Sequence, residues 1–98
     1  MRWLNLELKK LLASSLRQKI LKALSECRDI NVMGLVRRIN STYNEVNRNL
    51  IILEREGIVT NVRCGRMRLI KLNRENPKTV LLLQVLKQLE PERVLPSS

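Results

Sequence analysis

The chain has 98 residues, with 19 Lys plus Arg against 9 Asp plus Glu and a formal net charge of +10. That length fits a single domain, the 44% hydrophobic content suits a packed core rather than a disordered tail, and two cysteines are too few for a disulfide scaffold. There is no His, so the commonest general acid/base and metal ligand are both missing, and the positive excess points to an anionic partner, nucleic acid ahead of an acidic membrane surface.

The start, Met1-Arg2-Trp3, mimics a signal peptide, but Glu7, Lys9 and Lys10 interrupt the apolar run before any small-residue cleavage site. Leu4, Leu8, Leu11 and Leu12 instead predict a first helix over residues 2–12. Ser14 or Ser15 is placed to cap a second helix, whose Leu16, Ile20, Leu21, Leu24 and Cys27 share one face. Asp29-Ile30-Asn31 breaks that helix, and Asn31 can cap a short third. Leu35, Val36 and Ile39 form its apolar face, with Arg37 and Arg38 beside them, and Gly34 costs it about 1 kcal/mol relative to Ala.

After the short turn Asn40-Ser41, Thr42-Tyr43-Asn44-Glu45 reads as a capping box: Thr42 accepts from the Glu45 amide, and the Glu45 carboxylate reaches back to the Thr42 amide. The fourth helix runs to about Glu56, with Val46, Leu50 and Leu53 as its core stripe and Gly57 as a left-handed stop. The period then changes to two. Residues 58–64 and 67–72 predict the strands of a two-stranded hairpin turned by Gly65-Arg66. Pro77 opens a last helix through about Leu89, because the first helical position needs no amide donor, and residues 91–98 read as a flexible tail. The longest apolar block, residues 80–83 with 85–86, is far short of the roughly 20 residues a membrane span needs, so the expectation is a soluble, cytoplasmic protein.

Two helices joined by a short turn and followed by a hairpin form the pattern of a winged helix-turn-helix. The predicted fold is therefore α+β, mainly α, a single winged-helix domain over residues 1–90. The helix-turn-helix occupies about 32–56, the wing about 58–72, and the C-terminal dimerisation helix about 77–89, with helices added at both ends.

The fourth helix divides by face. Asn44, Arg48 and Ile51 lie opposite its core stripe, with Tyr43 and Asn47 on the flank and Thr42 at the cap. The major groove admits a helix, and there Asn pairs bidentately with adenine, Arg with guanine, and Tyr touches a phosphate or a thymine methyl. The N-terminal residues of the second helix normally do this reading. Thr42, Tyr43, Asn44, Asn47 and Arg48 are thus candidate DNA-binding residues. Between residues 60 and 74 the charged side chains are Arg63, Arg66, Arg68, Lys71 and Arg74, all positive. Edge protection of a short hairpin would account for charge but not for a single sign. Arg63, Arg66, Arg68 and Lys71 join the candidates, Arg66 at the turn being best placed for a minor groove or a phosphate.

Residues 14–72 resemble the ArsR-type winged helix-turn-helix transcription regulators of bacteria and archaea. The matching pieces are residues 15–24 (SLRQKILKAL), Ile30-Asn31-Val32 ahead of the short helix, residues 41–50 (STYNEVNRNL) and residues 53–59 (LEREGIV), in that order and spacing. The resemblance implies a homodimer on a palindromic operator, often as a repressor. Many such relatives sense metals through Cys and His. This chain has no His and no Cys within residues 32–39, so metal sensing is not carried over, and no cofactor or metal is expected. Cys27 and Cys64 have no CxxC spacing and read as small apolar residues, with a redox pair as the alternative.

The last helix carries Val80, Leu81, Leu82, Leu83, Val85, Leu86 and Leu89, an arc wider than the roughly 100° stripe that one core contact needs. It predicts a twofold interface built from the first and last helices, with Trp3, Leu6, Leu82, Leu83, Leu86 and Leu89 as its candidates. A sequence-specific dimeric regulator on double-stranded DNA is the primary expectation. An architectural DNA-binding protein and a winged-helix protein-interaction module are the alternatives. No nucleophile–base set, phosphate-binding Gly loop or paired carboxylate argues for an enzyme.

Overall fold

A computed structural model describes residues 2–89, with side chains from Leu6 onward. The expected tail at 91–98 and the side chain of Trp3 lie outside the described residues. The elements run α1 (Arg2–Leu11), α2 (Ser15–Glu26), β1 (Ile30–Asn31), α3 (Val32–Ile39), α4 (Tyr43–Arg55), β2 (Val59–Cys64), β3 (Met67–Leu72) and α5 (Pro77–Leu89).

Helix starts follow local side-chain chemistry. The Ser14 hydroxyl accepts from the Arg17 amide (3.3 Å), the Asn31 side-chain oxygen from the Gly34 amide (2.7 Å), and the Thr42 hydroxyl from the Glu45 amide (3.3 Å). Each satisfies a first-turn donor that has no intrahelical acceptor. The reciprocal half of the expected capping box is replaced: the Glu45 carboxylate accepts from the Ser41 hydroxyl at 3.4 Å rather than from the Thr42 amide. Gly34 lies in tight packing, since a Cβ there would stand 3.3 Å from the Asn31 side-chain oxygen and from Ile30, which would have to give by a few tenths of an ångström.

The end of α4 is a Schellman motif. The amides of Gly57 and Ile58 donate to the carbonyls of Glu54 (3.0 Å) and Leu53 (2.9 Å), and Gly57 takes φ +76°. Leu53 and Ile58, both fully buried, supply the hydrophobic contact that accompanies this motif.

The sheet has three strands, not the two expected from sequence. β1 pairs antiparallel with β3 (Ile30 opposite Ile70, Asn31 opposite Leu69), giving the order β1-β3-β2. Two residues are too short to show a period of two, so β1 becomes visible only once its partner strand is in place. In the hairpin, Val59 lies opposite Leu72 and Cys64 opposite Met67.

One hydrophobic cluster unites α2 (Ile20, Leu21, Leu24), α3 (Leu35), α4 (Val46, Leu50, Leu53), the sheet (Ile58, Ile70) and α5 (Leu82, Leu86). Neither cysteine joins it. Cys27 is half-buried where α2 ends, and Cys64 is exposed because the distal half of the hairpin extends past the core. No helix among the described residues is long and apolar enough to cross a membrane.

Candidate functional site

The candidate site lies where the first turns of α4 meet the wing. With 3.6 residues per turn, Val46, Leu50 and Leu53 turn inward, and Asn44, Arg48 and Ile51 are exposed on the other side. Tyr43 is 41% exposed and Ile51 44%, large areas for side chains with apolar bodies. Arg17 anchors this helix from behind. Its Nε donates to the Asn49 side-chain oxygen (3.0 Å), while its Nη1 donates to the carbonyls of Lys10 and Leu11 at the end of α1 (3.0 and 3.2 Å). Asn49 donates in turn to the Glu45 carbonyl (2.8 Å), so its amide is committed to structure.

The wing reaches α4 through Arg68. Its Nη1 donates to the Tyr43 hydroxyl (3.0 Å) and to the Asn47 side-chain oxygen (3.2 Å), and its Nε to Asn61 on the neighbouring strand (3.5 Å). These bonds tie the wing to the first two turns of α4. Arg68 therefore spends one edge of its guanidinium inside the molecule, whereas the sequence reading cast it only as a DNA contact.

Strand alternation sorts the remaining wing residues. Arg63 lies opposite Arg68 and emerges on the same face, and Arg66 is exposed in the turn. Lys71 lies opposite Thr60 on the other face. There it borders a depression of about 680 Å³ shared with residues 24–28 at the end of α2. The structure thus brings Tyr43, Asn47 and Arg68 into contact, and separates Lys71 from them. Thr42 sits at the start of α4 with its oxygen engaged in the cap.

A smaller hollow of about 350 Å³ connects the two halves of the site, with Asn31, Met33, Arg37, Tyr43, Arg66 and Arg68 in its walls. Arg37 and Met33 did not stand out in the sequence as site residues. They come to the wing because β1 pairs with β3 and carries the start of α3 with it. Arg38 points elsewhere, to Glu26 (2.7 Å) and the Cys27 sulfur (3.4 Å). The hydrogen bond to Glu26, and then the charge interaction with Cys27, raise its already high pKa. Among the described residues no group of three or more Cys, His, Asp or Glu could hold a metal ion.

The candidate interface residues divide in the same way. Leu82 (0% exposed) and Leu86 (6%) are consumed by the protomer's own core, so the sequence reading placed them on the wrong side of α5 for a partner. Leu83 is half-buried beside Lys22 and Glu26 of α2. Leu6 (59%) and Leu89 (54%) are the exposed ones, and Val85 and Leu89 line an apolar groove of about 350 Å³ with Leu8 and Leu12 of α1.

No family model and no curated protein matches the chain. Solved structures do. The antimony-specific transcriptional repressor AntR superposes with a TM-score of 0.73 at 24% identity, over 85% of this chain and 70% of that one. An ArsR family transcriptional regulator gives 0.65 at 19% identity over 90% of each chain. The transcriptional regulator BldR from Sulfolobus solfataricus gives 0.68 at 26% identity, over 89% of this chain and 63% of that one. In fold the chain is a winged helix-turn-helix of the type these regulators share, as the sequence resemblance implied.

Proposed function

We propose that this winged helix is a DNA-binding transcription regulator that works as a homodimer, with α4 in the major groove and the wing on the backbone or in the minor groove. The observation that carries the reading is the Tyr43–Arg68–Asn47 contact. It ties a wing whose charges are all positive to a helix whose first turns bear the exposed Asn44 and Arg48 and the half-buried Asn47. A merely solvated helix face has no need of such a brace. Transcription regulators among the solved structures of like fold support the same reading.

In this reading Asn44 and Arg48 face base edges, Tyr43 and Thr42 face a phosphate, and Arg63 and Arg66 take the backbone beyond. Lys71, on the other face of the sheet, contributes through its charge. The twofold surface is formed by α1 and α5 around Leu6, Val85 and Leu89, which leave apolar area open to solvent. One protomer then reads each half-site, about one helical turn apart.

Selection of bound DNA from a random duplex pool tests the function. Enrichment of a palindromic site, lost in Arg48→Ala, supports it. Salt-sensitive binding with no enriched sequence would instead favour an architectural role. No salt-sensitive binding at all would favour a protein-interaction module and overturn the proposal.

A further inference from the structure

We infer that Arg68 is a specificity-determining positioning residue: by holding the Asn47 side-chain oxygen, it turns Asn47 from a reader of adenine into a donor that selects guanine. This rests on the DNA-binding reading above and adds to it which base chemistry the helix takes.

The amide orientation follows from chemistry. A guanidinium has donors and no acceptor, so the group that Asn47 presents to Arg68 Nη1 at 3.2 Å has to be its oxygen. The same logic makes the Tyr43 hydroxyl, 3.0 Å from that nitrogen, an acceptor toward Arg68, which leaves its own proton free to donate outward. Asn61 on the neighbouring strand also accepts from Nε, at 3.5 Å.

What remains for a ligand is a face of donors. The two protons of the Asn47 amide have no acceptor among the described residues, and neither does Arg48. Two N–H groups on Nη2 of Arg68 are likewise uncommitted there. Bidentate pairing of Asn with adenine needs both ends of the amide aimed at one base edge, the oxygen taking the N6 proton and the NH₂ giving to N7. The Asn47 oxygen keeps a second lone pair, but turned toward the wing and shared with a guanidinium it is a poorer acceptor for the adenine N6 proton than the free NH₂ is a donor to guanine. Guanine presents two acceptors in the major groove, N7 and O6, and suits an amide whose NH₂ is the end left free. The sequence alone suggested the opposite, because Asn read in isolation is an adenine partner.

The test compares full-length wild type, Asn47→Ala, Arg68→Met and Tyr43→Phe by selection from a random-sequence duplex pool, with thermal unfolding by circular dichroism to confirm folding. The Asn47→Ala variant identifies the base position that depends on Asn47. At that position wild type is expected to favour guanine over adenine by about tenfold. In Arg68→Met the Asn47 oxygen is released and the preference moves to adenine. Tyr43→Phe leaves the Asn47–Arg68 bond in place and keeps guanine. Arg68→Ala, which likewise leaves the Asn47 oxygen without its donor, serves as the second variant should the Met substitution fail to fold, with the same move to adenine expected.

Adenine preferred by wild type at that position would overturn the inference. So would an unchanged preference in Arg68→Met, or no position that responds to Asn47→Ala. Duplex binding without any enriched sequence overturns it while leaving DNA binding intact. Absence of salt-sensitive binding overturns the functional reading and the inference with it.

Discussion

The Asn76 side-chain amide donates to the Gly57 carbonyl at 3.0 Å, fastening the start of α5 to the end of α4. The oxygen of the same side chain caps α5, accepting from the Lys78 amide at 2.9 Å. Asn73 supports the junction by donating to the Gly57 carbonyl (3.1 Å) and, through its backbone amide, to the Ile58 carbonyl (2.8 Å). The end of α4 and the start of α5 are thus joined by a few side chains rather than by a loose loop.

Gly57→Ala and Asn76→Ala are both expected to destabilise the fold. A Cβ at Gly57 would take φ +76° and stand 3.0 Å from the Asn76 nitrogen. The left-handed conformation alone costs a residue with a Cβ about 1–2 kcal/mol. Asn76→Ala loses a cap worth about 1 kcal/mol. Urea denaturation of the singles and the double should give a combined loss smaller than the sum, because the two changes disturb one contact. Full additivity would show that the junction does not act as a unit.

Leu82 and Leu89 distinguish the core from the proposed interface. Leu82→Ala is expected to cost about 2–5 kcal/mol of folding stability, since its side chain is fully buried. Leu89→Ala, at an exposed position, should change the stability of the protomer by less than about 0.5 kcal/mol while weakening self-association. Sedimentation equilibrium across a concentration series reads the second effect. A wild type that stays monomeric at all concentrations would dispose of the dimer.

On DNA, Arg66→Ala and Arg48→Ala should behave differently. Arg66 lies in the exposed turn of the wing, so its loss should weaken binding about equally for all sequences and reduce the salt slope by about one. Arg48→Ala should cost about 1–3 kcal/mol on the preferred site and little on random DNA. Titrations of both duplexes at several salt concentrations distinguish the two. Equal losses on site and random DNA for Arg48→Ala would remove it from base readout.

Lys78 is expected to give the stability curve an alkaline feature. It bridges Glu56 (3.0 Å) and Glu7 (3.2 Å), and the hydrogen bonds to Glu56 first and Glu7 second hold its pKa above the ordinary 10.5. A lysine whose folded pKa is raised stabilises fully below its unfolded pKa, and that contribution disappears as pH rises through the folded value. Against Lys78→Met, wild type should be more stable by up to about 1 kcal/mol at neutral pH and lose that margin above about pH 10.5. Urea midpoints that keep a constant separation into the alkaline range would show that the ion pairs contribute nothing.

The chain's own sequence determined what depends on neighbours a few residues apart. The caps at Ser14, Asn31 and Thr42 each join residues three apart, and the stop at Gly57 is set within one turn of helix. Apolar spacing marked the core stripes of α2 and α4, and the single-signed wing was legible from charge alone. Those local signals were enough for the fold class and for the faces of α4.

Tertiary structure decided what depends on distant partners. Arg68 meets Asn47 across 21 residues, Arg17 meets Asn49 across 32, and Lys78 meets Glu7 across 71. A hydrogen-bonding side chain looks the same in sequence whether its partner is another side chain, water or a ligand, so the role of Arg68 could not be read before the hairpin was docked. The breadth of the apolar arc on α5 showed that two surfaces needed cover. Only packing assigned Leu82 and Leu86 to the core and left Leu89 outside, because a helix face acquires an inside only when another element lies against it.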